Sequence, residues 1–161
     1  MRRLLVVLIV VLAAMLVAAP AASTQAAQAQ PTNLKATVVS ANAGGAGTCC
    51  VFTWFFDGSA SVPVLGAVNF EGHWSSGHVQ FSDPIIRHEA LSVRFVSRAG
   101  DTIVLSGVTQ WLASDSMPPL TWTVSEATGR FAGYTGSGTY AAEAVDGRVA
   151  VRLSGTLLRA G

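Results

Sequence analysis

The sequence predicts an all-β, single-domain fold of eight or nine antiparallel strands, and three observations predict it. β-type runs, alternating or continuous, recur after about residue 30 with turn residues between them. No segment carries a sustained 3.6-residue apolar period. Gly129, Gly133, Gly136 and Gly138 interrupt a run whose other members suit a strand: Phe131, Tyr134, Thr135, Thr139 and Tyr140. Glycines inside a strand mark bulges, sharp bends or close backbone approach. Four in one strand point to a sheet that coils tightly, as in a small barrel.

The elements follow in order. Asn33 to Ser40 reads as a first strand with Leu34, Ala36 and Val38 on one face. Asn42 to Thr48 reads as a glycine-rich loop, Cys50 to Phe56 as an aromatic strand, and Asp57-Gly58 as its terminating turn. Val62 to Trp74 reads as a long strand bent at Gly66 and Gly72, and Ser75-Ser76-Gly77 as a turn into a short strand from His78 to Phe81. Ser82-Asp83-Pro84 breaks that strand, and Pro84 to Ala90 reads as a loop or one helical turn. Leu91 to Ser97 alternates cleanly, with Leu91, Val93 and Phe95 in phase. After the turn Ala99-Gly100-Asp101 comes Thr102 to Leu112, with Ile103, Leu105 and Trp111 on one side and Val104 and Val108 on the other. A loop with two prolines, Ser114 to Pro119, precedes Leu120 to Ser125. The turn Glu126 to Gly129 leads into the glycine-rich strand, and Asp146-Gly147 turns the chain into Arg148 to Leu158. There Val149, Val151 and Leu153 point inward and Arg148 and Arg152 outward. Such a series of short-linked strands suits an up-and-down barrel or a sandwich. The doubly apolar strand at 102–112 calls for cover on its outer face, by a homo-oligomer interface or by a packed terminal segment.

The N-terminus is read separately. Arg2 and Arg3, the apolar run Leu4 to Val17 and the small-residue site Ala27-Gln28-Ala29 make residues 1–29 a secretory signal peptide, leaving 30–161 as the domain. The run is short for a membrane span, so the expectation is a secreted or periplasmic protein with no stable membrane insertion after cleavage. Ten Lys and Arg less Arg2 and Arg3 leaves eight, against nine Asp and Glu. With no basic patch, a nucleic-acid partner is not expected. Cys49 and Cys50 are adjacent. Their Cα atoms lie about 3.8 Å apart across a trans peptide, below the usual disulfide range of roughly 4.4–6.8 Å. A vicinal disulfide, two free thiols and a bridge to another subunit all stay open.

The run Thr128-Gly129-Arg130-Phe131-Ala132-Gly133-Tyr134-Thr135-Gly136 resembles a motif of the allene oxide cyclase and dirigent-protein barrels, in which Thr-Gly or Ala-Gly, one residue, Phe and a small-residue run ending in Gly precede the final strands. The resemblance covers roughly residues 119–158. It implies a calycin-like, eight-stranded antiparallel barrel, closed or nearly so, whose lumen holds a small apolar molecule. It also implies a frequent oligomer, and an activity that steers cyclisation or isomerisation without a cofactor by confining a reactive substrate.

Candidate site residues are few. Asn69, Glu71 and His73 alternate on one face of a strand, with Val68, Phe70, Gly72 and Trp74 on the other. If the polar set faces the lumen, Glu71 is a general base; the plain alternative is a solvated face. Tyr134 and Tyr140 share a face of the glycine-rich strand, and a luminal Tyr140 would orient a ligand or stabilise an oxyanion. Trp54, Trp111 and Trp122, with Phe70 and Tyr134, are the candidate ligand-binding aromatics, and a plain core is their alternative. Trp74 is the fourth tryptophan. His73, His78 and His88 match no zinc spacing, so no metal is assigned. The functional expectation is an exported barrel that binds a small apolar molecule, with catalysis by Glu71 and Tyr140. The other reading is a secreted structural protein with a side-chain-filled barrel.

Overall fold

The computed structural model describes residues 30–78 and 83–160. The expected signal peptide and the expected strand beyond His78 lie outside them. Within them the fold is all-β: one antiparallel sheet of nine strands and a single 3₁₀ turn. The strands are β1 (Gln30–Val39), β2 (Asn42–Gly47), β3 (Val51–Val62), β4 (Gly66–His78), β5 (Ile86–Ser97), β6 (Thr102–Leu112), β7 (Thr121–Ala127), β8 (Tyr134–Val145) and β9 (Arg148–Arg159). Their order in the sheet is β1-β9-β8-β7-β6-β5-β4-β3-β2. β1 and β2, the two ends of this order, do not pair with each other, so the ladder is not closed. The sheet nevertheless curls. Only Ser40 and Ala41 separate β1 from β2; the Ser40 N–H donates to Val149 O (2.9 Å) on β9 and the Ala41 N–H to Asp57 O (2.8 Å) on β3.

Five boundaries differ from the sequence expectation. Asn42 to Gly47 is a strand because the small residues let it lie against β3, from Asn42↔Asp57 to Gly47↔Phe52. Asp57-Gly58 does not turn: both lie inside β3, opposite Glu71 and Phe70 of β4. The turn comes instead at Pro63–Leu65, where the Leu65 N–H donates to Val62 O (3.1 Å). Ser75-Ser76-Gly77 continues β4, and Gly77 lies where a Cβ would run into the backbone of Cys50 and Val51. β5 begins at Ile86, so the segment read as a loop supplies five strand residues. The glycine-rich stretch is divided: Gly129–Phe131 forms the 3₁₀ turn and the strand starts at Tyr134. The Asp146-Gly147 turn forms as expected, with both residues at positive φ (51° and 73°) as tight hairpins require.

The core lies on one face of the sheet. Leu34 and Val38 of β1, Phe56 and Val62 of β3, Val68 and Phe70 of β4, and Leu91, Val93 and Phe95 of β5 are buried there. Ile103 and Leu105 of β6, Trp122 of β7, Tyr140 of β8 and Val149, Val151, Leu153 and Leu157 of β9 complete it. The largest of these, Trp122, has no solvent exposure. It is seated over glycines. Gly138 pairs with both Trp122 and Gly155, and a Cβ on Gly138 or Gly155 would stand 2.7 or 2.6 Å from the indole. Two of the glycines expected only to bend the sheet thus make room for an aromatic ring, whose N–H donates to Thr139 O (3.0 Å). One end of the core is plugged by the 3₁₀ turn. Phe131 is buried, and Arg130 stacks on its ring (4.7 Å) while donating to Leu65 O (2.6 Å) in the β3–β4 turn.

Candidate functional site at the open end of the inner face

The other end of the inner face is different in kind. Strand pairing carries the core face outward from Trp54, Trp74 and Leu91 to the next row, Phe52, Ser76, Glu89 and Thr109. Trp54, Trp74, Ser76, Glu89 and Thr109 are half-buried, and Phe52 is exposed. Glu89 is therefore a carboxylate in phase with the core positions Leu91, Val93 and Phe95. Its two oxygens accept hydrogen bonds from the Trp74 indole N–H (2.6 Å) and the Ser76 hydroxyl (2.5 Å). Both bonds are short, as expected of a charged acceptor.

Tyr140 approaches the same place from β8. Its ring is 5% exposed, and its hydroxyl is buried with no hydrogen-bond partner. Burial pushes that hydroxyl up to about 12, and the Glu89 charge pushes it the same way. A buried phenol without a partner is unusual, because leaving it unmade costs about 1–3 kcal/mol. The arrangement offers a buried polar group, a carboxylate whose charge reaches it, and half-buried tryptophans at the same end of the sheet. The β2–β3 loop stands at this rim: Cys49 and Cys50 are joined by a disulfide, the vicinal form among the three alternatives, and the His78 N–H donates to Cys50 O (2.8 Å).

The sequence-derived candidates separate on this frame. Glu71 is on the outer face. Its side chain is 62% exposed and pairs with Arg94 across the strands (3.3 Å). The inward placement that would make it a luminal base does not occur, because Phe70 and Val68 occupy the core phase of β4. It lines a shallow outer groove with Asn42, Phe55, Asp57, His73 and Arg94. Tyr134 and Tyr140 do share a face, but six residues of strand set them about 20 Å apart. Tyr134 packs edge-on against Phe131 (6.2 Å) and under Arg159 (5.7 Å) at the plugged end. Trp122 and Phe70 are fully packed core. Trp54 reaches the open end, and Trp111 lies on the same face by its pairing with Arg87. Among the described residues no three His, Cys, Asp or Glu come together in a metal-holding group.

Glu89 and Ser76 lie outside the residues the sequence singled out, whereas Trp74 is among the four tryptophans it placed on strands. The signal was present: the alternation of Leu91, Val93 and Phe95 runs back to Glu89 if the strand is extended by one step. Reading 84–90 as a loop and 75–77 as a turn hid both strands' outer rows. No protein family, curated protein or solved structure matches this chain.

Proposed function

We propose that this is an exported eight-stranded β-barrel, of the kind its 128–136 motif resembles, that holds a small, mainly apolar molecule at the open end of its inner face. The barrel reading treats β1 and β2 as one bent strand, bonded to β9 through its first half and to β3 through its second. The hydrogen bonds on either side of the Ser40–Ala41 link support that count.

The observation that carries the binding reading is the buried, unpartnered Tyr140 hydroxyl beside Glu89. It can take one hydrogen bond from a ligand's polar head, while Trp54 and Trp74 take the apolar body. The same two groups are what a cofactor-free cyclase or isomerase would use. The phenol holds a substrate oxygen and the carboxylate accepts a proton. Glu89 replaces Glu71 in that role. The alternative, a structural barrel filled by its own side chains, draws its support from the dense packing of Phe56, Phe70, Phe95 and Trp122 in the core.

Tryptophan fluorescence distinguishes them. The purified protein is titrated with octanol, octanoate and octylamine. Binding predicts a saturable change at one site per chain with at least one of them, weakened in Tyr140→Phe. A flat response to all three would favour the filled structural barrel.

A further inference from the structure

The polar groups at the open end also bear on the kind of ligand. Glu89 has hydrogen bonds but no countercharge: its donors, Trp74 and Ser76, are both neutral. Three ion pairs form among the described residues, Glu71–Arg94, Asp101–Arg130 and Glu143–Arg152, and Glu89 is in none of them. Arg87, two residues away on the same face, is exposed and makes no ion pair. A half-buried carboxylate without a cation is disfavoured unless something supplies one. It also keeps acceptor capacity, since a carboxylate offers about four lone-pair sites and two are used. Trp74 turns its indole N–H edge to the carboxylate, and Trp54 lies opposite Trp74 across the β3–β4 pair. The Tyr140 oxygen is buried close enough to feel the Glu89 charge and has no hydrogen-bond partner.

We propose that the ligand's polar head is a cation, an alkylammonium group held between the Glu89 carboxylate and the Tyr140 hydroxyl oxygen with its apolar body along Trp54 and Trp74. This rests on the reading of the inner face as a binding site. An ammonium nitrogen meets both needs with its own N–H donors, one to the carboxylate and one to the phenol oxygen. A neutral alcohol would satisfy the hydroxyl and leave the charge uncompensated. A carboxylate head would be repelled by Glu89.

The test is the affinity order of three probes that share one apolar body. Near neutral pH, octylammonium should bind at least tenfold more tightly than octanol or octanoate. Glu89→Gln should abolish that advantage. If Glu89→Gln fails to fold, the affinity order in the unaltered protein still decides. Octanol or octanoate binding as tightly as octylammonium would overturn the cationic head and leave the binding site standing. No binding by any of the three would overturn both.

Discussion

The two ends of the inner face are built from the same strands and the same aromatic chemistry, yet they do opposite things. At the plugged end Phe131, Leu65, Phe70 and Phe95 are buried and Arg130 laces the 3₁₀ turn to the β3–β4 turn. At the open end Trp54, Trp74 and Glu89 stay half in solvent and a tyrosine hydroxyl is buried without a partner. The plugged end accounts for stability, because burying each large apolar side chain is worth about 1.5–3 kcal/mol. The open end gives up part of that burial. Polar groups set against an apolar wall are the usual composition of a ligand site. On the proposed reading, one curled sheet separates dense packing from ligand binding along its strands, with Trp122 and its glycines near the boundary.

The sharpest way to break the comparison is to truncate one tryptophan that is wholly buried and one that is half-buried at the open end. Trp122→Ala should cost about 3–5 kcal/mol, the range for a wholly buried aromatic, whereas Trp74→Ala, already half-exposed, should cost clearly less. Urea unfolding followed by circular dichroism reads both; equal losses would dissolve the distinction.

A second expectation concerns pH. The Tyr140 hydroxyl titrates near 12 when folded and near 10 when unfolded. Between these values the unfolded chain has lost the proton and the folded one retains it, so stability is intact below pH 10 and falls as pH rises toward 12. The full loss is of order 2–3 kcal/mol. Tyr140→Phe should remove this component, visible as a shallower decline in unfolding free energy across that window.

Smaller effects test the glycines and the outer face. Gly138→Ala pushes a Cβ into the Trp122 indole and the facing backbone of β9, and should cost about 1–3 kcal/mol. Gly44→Ala, with nothing within 4 Å, should stay within about 0.5 kcal/mol. Thermal melts of the two variants make the comparison. On the outer face, Glu71→Gln removes an exposed ion pair and should change stability by less than about 1 kcal/mol. Probe binding followed by fluorescence should be unaltered. A large loss of binding in Glu71→Gln would return the site to the outer groove.

Much of this protein is legible residue by residue. Period-two alternation is a local property of the chain, so the all-β class and the inward phases of Leu34, Val93, Val149 and Leu153 can be read without coordinates. The Asp146-Gly147 hairpin is equally local, because a tight turn needs residues that tolerate positive φ. Strand ends are another matter. Gly-rich Asn42 to Gly47 carries no strand signal of its own and is a strand because β3 lies beside it; Ser75 to Gly77 and Ile86 to Ala90 extend because each has the other to pair with. Hydrogen bonding to a distant partner overrides weak local preference. The site depends on the same long-range pairing. Whether Glu71 or Glu89 faces inward follows from the phase that the packed core imposes on each strand. That Glu89 and Tyr140, on strands that do not pair, stand within electrostatic reach of one another follows from the curl of the sheet alone.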